Sequence, residues 1–301
     1  MVSINVLVAS YNQEKVIVRM FDSVIKQKEF GLNQIIIQDD CSKDGTAEVI
    51  ESYKVLYPGI VVPYYNPHNL GIYGNYDLLR KRCGDADLFI FVAGDDEIGD
   101  GLFEKIQVFS EINKPDYSKK IGIYTDWEVI APNGVHKVFK QDLVSKGYSA
   151  YSLFIRHRLF QRGMALTKSL LESYDPVILD RGLNLAEYVF DSQAIRKAEE
   201  NYYIPTIGSV YYNGIGVSKQ LGNTSYYKED EIVKLNYFLE QYYNTKSDRM
   251  WLKACLYRTK YILKPRISSL CLMSLYFVAG LKRYQLCINT VRAFFYPIVR
   301  K

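Results

Sequence analysis

The sequence predicts an α/β fold in which a mostly parallel central sheet is flanked by helices, with a helical extension at the C-terminal end. In the first half of the chain, short apolar runs alternate with segments whose apolar residues recur at helical spacing. Residues 228–264, in contrast, carry a helical pattern rich in Tyr. Of the 301 residues, 48% are apolar and 24% are charged, which is an ordinary globular composition.

Five apolar runs in the first part of the chain are predicted strands. The second run contains three consecutive isoleucines, as expected for a parallel strand that is buried on both faces. The five strands are Ile4–Ala9, Gln34–Asp39, Ile60–Tyr65, Asp87–Val92 and Ile121–Thr125. Helices are predicted between them over residues 13–28, after Ser42 as the N-cap, over residues 72–83 and from Leu102.

The second half of the chain carries weaker patterns. A turn is predicted at Ala131–Gly134, a helix over residues 185–199 and a strand at Tyr203–Tyr212. Glu187 and Asp191 lie four residues apart on this helix, so both carboxylates would share one face.

Polar residues collect where three of the predicted strands end. Ser10–Asn12 follow the first strand, Asp39 and Asp40 end the second, and Asp95–Asp96 follow the fourth. Ligands of such sheets bind beyond the carboxyl ends of the strands, so these residues form a candidate site. Two adjacent carboxylates suit a hard divalent cation, which prefers oxygen ligands. Two simpler interpretations stay open: acids at a helix N-terminus for Asp95–Asp96, and an Asx-type turn for Asp39.

Four ordered motifs resemble those of the family 2 glycosyltransferases, which are inverting enzymes of the GT-A fold that use nucleotide-sugar donors. The motifs are Val8–Asn12, Gln38–Thr46, Asn69–Gly71 with Asn75, and Ala93–Asp96. The resemblance covers about residues 2–130 with family-like spacing and extends loosely to about residue 218. Four motifs in the family's order are far more specific than any one of them.

The resemblance implies a Rossmann-like GT-A domain over residues 1–225. Its nucleotide-binding half would cover about residues 1–126 and its acceptor half about residues 127–225. A basic, aromatic helical region over residues 226–301 would follow.

The resemblance also implies roles for individual residues. Asp39 would bind the base, which is uracil if the donor is a UDP-sugar. Asp95 would lie near the ribose and the metal, and Asp96 would bind Mn²⁺ or Mg²⁺ that bridges the diphosphate. Ala93 stands where the family often has a further acid. The implied nucleotide-binding residues are Ala9, Tyr11, Asn12, Glu14, Asp39, Asn69, Asn75 and Asp95.

The family supplies a catalytic base from a helix downstream of the metal motif. A positioned carboxylate that takes the proton of the acceptor hydroxyl contributes roughly 10²–10⁴-fold to the rate. Asp191 is the favoured base here because Arg196 and Lys197 follow it as in the family, and Glu187 is the alternative. Both acids could also be solvated carboxylates on a helix face.

The implied function is transfer of a sugar, from a UDP-sugar by preference, to a hydroxyl of a saccharide or a polyprenyl-linked acceptor. This reaction would serve cell-surface polysaccharide biosynthesis. The alternative is a catalytically impaired, membrane-associated protein that binds nucleotide sugars on the same scaffold. The sequence has neither a Walker A pattern nor a GxGxxG fingerprint, so ATPase and dinucleotide-binding functions have no support.

The charge of the chain is concentrated near its C-terminal end. From Arg249 to Lys301 there are eleven Lys and Arg residues and no Asp or Glu. Interleaved with aromatic residues, this pattern favours peripheral docking on an anionic membrane surface, although a helical subdomain with a basic exterior would look the same. The uncharged stretch Ile267–Leu281 is shorter than the roughly 20 residues that span a bilayer.

Two further expectations concern partners and location. No recognition module for nucleic acid is visible, so we expect no nucleic-acid partner. Five Cys residues without a CxxC pair predict reduced thiols and hence a cytoplasmic location, and the basic region after Arg249 would place the protein peripherally on the inner face of the cell membrane.

Overall fold

The computed structural model describes residues 1–156, 159, 162–175, 186–215, 225–241, 245–281 and 294. The chain divides into two compact units. The first comprises Met1–Phe154 and Arg158–Gln220, and the second comprises Ile155–His157 and Leu221–Lys301.

Within the described residues, the first unit is built on a nine-stranded sheet. Along the sheet the strands follow the order β3-β2-β1-β4-β8-β6-β9-β5, and β7 pairs with β6. Parallel pairing joins β1 to β2 and β4, β2 to β3, and β6 to β9. The predicted α/β class is confirmed. The strands are β1 Ile4–Ser10, β2 Leu32–Asp39, β3 Val61–Tyr65, β4 Leu88–Ala93, β5 Glu97–Ile98, β6 Ile121–Ile130, β7 His136–Phe139, β8 Ala165–Thr167 and β9 Glu200–Tyr212.

Helices follow most of the strands of the first unit. In the described part of residues 221–301, which belong to the second unit, three helices follow one another along the chain. The helices are α1 Ile17–Ile25, α2 Thr46–Leu56, α3 Gly71–Lys81, α4 Leu102–Asn113, α5 Ala150–Ile155, α6 Lys168–Glu172, α7 Ala186–Lys197, α8 Ser225–Gln241, α9 Lys246–Leu263 and α10 Ile267–Gly280. Among the described residues, no helix is both long enough and apolar enough to cross a bilayer.

Burial explains why the apolar runs became strands. Ile35, Ile36 and Ile37 of β2 are all at most 1% exposed, so side chains on both faces of this strand are covered. The five predicted strands are confirmed as β1, β2, β3, β4 and β6, and Tyr203–Tyr212 lies within β9. The predicted turn at Ala131–Gly134 joins the antiparallel strands β6 and β7.

Three predicted helices have other bounds in the structure. Helix α1 spans Ile17–Ile25 rather than residues 13–28. Helix α2 begins at Thr46 rather than after Ser42, because Asp44 Oδ1 accepts the Thr46 N–H at 3.1 Å. The predicted helix over residues 228–264 is two helices, α8 and α9. Helix α9 has its own N-cap, since the Thr245 hydroxyl accepts the N–H of Asp248 at 3.1 Å.

A buried ion pair lies inside the second unit. Arg156 and Asp248 have fully buried side chains and meet at 2.9 Å. The Arg156 guanidinium also donates to the carbonyl oxygen of Gly280 at 2.6 Å and to the hydroxyl of Ser247 at 3.1 Å. It lies over the ring of Trp251, 5.0 Å from the centroid. One arginine therefore joins the start of α9 to the end of α10.

Breaking this pair is expected to destabilise the second unit strongly. Removal of one partner leaves a buried charge without compensation, which costs about 3–5 kcal/mol. Arg156→Met and Asp248→Leu should each show this loss, whereas the double variant should recover most of it. The measurement is urea unfolding followed by Trp251 fluorescence in a Trp127→Phe background, because the chain has two Trp. A loss below about 1 kcal/mol in both single variants would contradict the prediction.

Candidate functional site

The ends of three strands form one edge of the sheet, with β1 in the middle. Ser10 pairs with Asp39 of β2, and Ala9 pairs with Ala93 of β4. The N–H of Asp40 donates to Ser10 at 2.9 Å, and the N–H of Gly94 donates to Ala9 at 3.0 Å. Asp39, at the end of β2, and the segment with Asp96, after β4, therefore lie on either side of β1 at the same edge of the sheet. The strand pattern predicted this arrangement.

Asp39 is buried at the end of β2 and shapes the loop that follows. Its Oδ1 accepts hydrogen bonds from the hydroxyls of Ser10, at 2.9 Å, and Ser42, at 2.6 Å. Its Oδ2 accepts the N–H of Ser42 at 2.9 Å. The structure therefore contains the Asx-type turn that was the simpler interpretation of Asp39. Ser42 serves this turn, which is the physical reason that it does not cap α2. A contact between Asp39 and a base stays a prediction.

The loops after β1 and β2 are hydrogen-bonded to each other. Asn12 donates its N–H to the Ser42 hydroxyl at 2.9 Å, and its side-chain oxygen accepts the N–H of Lys43 at 2.8 Å. Glu14 accepts the N–H of Gly45 at 3.1 Å. A Cβ at Gly45 would lie 2.8 Å from the Glu14 carboxyl carbon, so a larger residue at this position would displace the Glu14 side chain from its contact with the loop.

Tyr11 lies at the start of the loop after β1, and 42% of its surface is exposed. Asn12, the next residue, has a positive φ of 52°. The hydrogen-bonded loops therefore leave the Tyr11 ring exposed at this edge of the sheet. A planar base could stack on such a ring.

Asn75 and Asn69 belong to a polar network around Asp40. Asn75 is 3% exposed; its Oδ1 accepts from Asn66 at 3.0 Å and its Nδ2 donates to the Gln38 carbonyl oxygen at 2.9 Å. The exposed Asn69 donates to the Asp40 carbonyl oxygen at 3.3 Å. The Asp40 carboxylate accepts two backbone N–H groups at the start of α3, at 2.8 and 2.9 Å. These groups anchor α3 to the edge, and contacts of Asn69 and Asn75 with a nucleotide stay predictions.

Asp96 is a buried carboxylate with an unusual affinity for its proton. It is 5% exposed, and its Oδ2 lies 3.0 Å from Nη1 of Arg162. The pKa of Asp96 is raised to about 7, mainly because the carboxyl is buried; the Arg162 charge opposes the shift, and the charge of Asp95 contributes to it. Burial also raises the pKa of Asp95. The two acids therefore hold negative charge that the surrounding protein compensates incompletely.

Residues far apart in the sequence surround the two acids. Arg19 of α1 donates to the carbonyl oxygen of Asp95 at 2.7 Å and lies over the ring of Tyr212, 3.7 Å from its centroid. The Tyr212 hydroxyl donates to Glu97 at 2.5 Å, and its N–H points to Asp96 at 3.4 Å. Arg162 lies over the ring of Tyr211 at 4.2 Å. The sequence analysis did not predict Arg19 or Arg162 as residues of the candidate site.

The acid pair fits a hard divalent cation. Both ligands would be oxygens, and a cation beside them would supply the charge compensation that the raised pKa values of Asp95 and Asp96 indicate is missing. Within the described ranges, no group of three or more His, Cys, Asp or Glu residues is placed to hold a metal. A cation here would therefore use this pair and take further oxygens from a bound ligand or water.

Helix α7 carries the two predicted bases. Asp191 is half-buried, and its charge adds to burial in raising the pKa of Tyr124, a fully buried residue of β6. Glu187 lies one turn earlier in α7, with its side chain outside the described residues. Arg196 and Lys197 pair with Asp175 at 3.3 and 2.8 Å. The basic residues after Asp191 thus hold the end of α7 to the chain near Asp175.

Residues 5–127 include β2 to β5 and most of β1 and β6, and they match the model of the family described as Glycosyl transferase family 2. The predicted family resemblance is confirmed. The matched segment contains Asp39, Asp95 and Asp96. Curated relatives include the uncharacterized protein Mb1547 of Mycobacterium bovis, which is 34% identical over 77 residues. That alignment covers 25% of this chain and 22% of the relative's length.

Solved structures match over nearly the whole chain and confirm the GT-A fold. TarS 1–349 of S. aureus in complex with UDP-GlcNAc gives a TM-score of 0.61 at 15% identity, over 99% of this chain and 88% of that chain. GalNAc-T7 with UDP, GalNAc and Mn²⁺ gives a TM-score of 0.56 at 13% identity, over 100% of this chain and 57% of that chain. The mannosyltransferase PcManGT from Pyrobaculum calidifontis in complex with GDP-Man and Mn²⁺ gives a TM-score of 0.52 at 12% identity, over 100% of this chain and 86% of that chain. The match to a longer TarS chain of S. aureus covers 53% of that chain, so this chain spans about half of its length.

Proposed function

We propose that this protein is an inverting glycosyltransferase that moves a sugar from a nucleoside-diphosphate sugar, UDP-linked by preference, to a hydroxyl of a saccharide or a lipid-linked saccharide. Cell-surface polysaccharide biosynthesis is the process that such a reaction would serve. The observation that carries the proposal is the placement of Asp39 and of the acid pair Asp95–Asp96 on either side of β1, at one edge of a family 2 segment.

The donor would bind across this edge. The base would lie against the loop after β1, with Tyr11 beside it and Asp39 below it, and the ribose would lie near Asp95. The neighbours support a nucleotide-sugar donor, since their complexes contain UDP-GlcNAc, UDP with GalNAc, or GDP-Man. Uridine appears in two of these three complexes, which favours a UDP-sugar.

Asp96, with Asp95, would hold Mn²⁺ or Mg²⁺. When bound, the ion acts as a Lewis acid that stabilises the charge of the leaving diphosphate, an effect worth several kcal/mol. The side chains of Arg19 and Arg162 are 27% and 33% exposed, so both guanidinium groups can reach a solvent-facing ligand. They would add cationic charge beside the diphosphate and hold the acids in position.

Asp191 would take the proton of the acceptor hydroxyl as that oxygen attacks the anomeric carbon. Glu187 is the alternative base, one turn earlier on the same helix. A carboxylate in this role contributes roughly 10²–10⁴-fold to the rate.

A second candidate function is nucleotide-sugar binding without turnover. It is favoured by Ala93, which stands where the family often has an acid and so leaves a pair of carboxylates rather than a larger set. Metal-dependent donor binding with neither transfer nor donor hydrolysis would support this alternative.

Thermal unfolding with UDP-, GDP- and dTDP-sugars, each with and without Mn²⁺, tests the proposal. A ligand at 100 times its Kd stabilises the folded state by about 2.7 kcal/mol, so binding should raise Tm visibly. We expect the largest shift with a UDP-sugar and Mn²⁺, and a lost shift in Asp96→Ala. Asp116→Asn, a change at an exposed acid, is the matched control. Absence of a shift with every donor would contradict the proposal.

A further inference from the structure

Helix α10 presents an apolar stripe to solvent. Ile267, Leu275 and Val278 are 82%, 64% and 71% exposed, and Cys271 is also exposed. At 100° per residue these four side chains fall within an arc of about 80°, so they share one face of the helix. We call these four residues the α10 stripe.

The opposite face of α10 is already buried inside the second unit. Met273 and Phe277 are 0% and 4% exposed, and the Phe277 ring lies 5.7 Å from that of Trp251 on α9. A Cβ at Gly280 would lie 2.6 Å from the backbone nitrogen of Trp251, so the two helix backbones approach closely. The stripe is therefore a second apolar face in addition to the one that packs against α9.

The sequence on both sides of the stripe carries charge of one sign. Lys264 and Arg266, immediately before α10, are exposed. The sequence from Arg249 to Lys301 contains eleven Lys and Arg residues and no acid. An exposed apolar face that two exposed cations directly precede matches the chemistry of an anionic bilayer surface, which takes apolar side chains at the level of the headgroups and attracts Lys and Arg.

We propose that the α10 stripe docks this protein on an anionic lipid surface, with Lys264 and Arg266 at the headgroups. Docking of this kind requires no membrane-spanning helix. It does not depend on sugar transfer, because the apolar contact and the attraction of the cations suffice.

Co-sedimentation of the full chain with phosphatidylcholine vesicles, with and without phosphatidylglycerol, tests the proposal. We expect binding only to the anionic vesicles and weakening with added salt. Leu275→Gln with Val278→Gln should weaken binding at least about tenfold, since two exposed apolar side chains lose their place in the bilayer. Lys264→Gln and Arg266→Gln should each weaken it about fivefold. The matched control is Val55→Gln with Leu56→Gln, which removes side chains that are 78% and 67% exposed at the end of α2.

Cys271 allows a direct reading of the stripe. In a background with Cys41→Ser and Cys287→Ser, a polarity-sensitive dye should attach to Cys271, because Cys83 and Cys255 are buried. Its emission should shift to the blue on anionic vesicles alone. The proposal is overturned if the stripe variant binds vesicles as well as the unchanged protein, if neutral and anionic vesicles bind equally or not at all, or if the stripe instead mediates a dimer in the absence of lipid. Donor binding measured without vesicles reports separately on the sugar-transfer proposal.

Discussion

Asp96→Asn should abolish metal-dependent sugar transfer and at the same time stabilise the folded protein. The loss of transfer follows from removal of a ligand of the proposed cation, whose contribution of several kcal/mol corresponds to roughly 10³-fold or more in rate. The gain in stability follows from the burial of Asp96, which raises its pKa to about 7. Asparagine keeps the shape and has no charge to desolvate.

The sign of the stability effect depends on pH. In the unfolded chain an Asp has a pKa of about 3.9, so between about pH 4 and 7 the folded state keeps a proton that the unfolded state has released. Stability is therefore lost as the pH rises through this range, and the full cost is present above about pH 7. We expect Asp96→Asn to be more stable than the unchanged protein by about 2–4 kcal/mol at pH 8, and by almost nothing at pH 4.

Urea unfolding at both pH values in the presence of a chelator measures this difference. Arg162→Gln is the matched control, because it removes a cation that faces Asp96 at 3.0 Å and should destabilise the protein at pH 8. An Asp96→Asn protein that is less stable at pH 8, or that keeps full metal-dependent transfer, would show that Asp96 is not an under-compensated metal ligand.

Asp191→Asn should lower kcat by about 10²–10⁴-fold while donor binding is retained. The acceptor hydroxyl would lose its proton acceptor, whereas the edge formed by β1, β2 and β4 would remain intact. Transfer rates measured with a saturating donor, together with the thermal shift caused by that donor, separate the chemical step from binding.

Two control variants sharpen this test. Glu187→Gln should leave most of the rate if Asp191 is the base, and the reverse result would assign the role to Glu187. Asp175→Asn changes an acid that pairs with Arg196 and Lys197 of the same helix, and it should have a small effect on kcat. A nearly unchanged rate in both Asp191→Asn and Glu187→Gln would reject α7 as the source of the base.

The sequence predicted the parallel part of the sheet well because its strands are continuous apolar runs with turns at their ends. The observed bounds of β1, β2 and β4 lie within about two residues of the predicted bounds. Strand β8 was not predicted, since it has only three residues and owes its place to antiparallel pairing with β4 and β6. Helices α8 and α9 merged in the prediction because the Thr245 cap was not recognised.

The candidate site was predictable where its residues follow strands, and not where they come from distant segments. Asp39 and Asp96 could be placed at one edge because the carboxyl ends of parallel neighbours meet there. Arg162 lies 66 residues beyond Asp96, and no local pattern links the two. Asp40 stood in a recognised motif, but its binding of the α3 backbone depends on three-dimensional contacts that sequence spacing does not report.

The hydrogen bonds that join the loops after β1 and β2 have a thermodynamic consequence. Ser42 holds Asp39 and Asn12 at once, so the edge is shaped by internal contacts and needs no ligand to order it. A rigid receptor of this kind loses little conformational entropy on association, and more of the contact energy remains as affinity. A nucleotide would thus meet a preorganised surface, and the entropic penalty of docking would come mainly from the ligand itself.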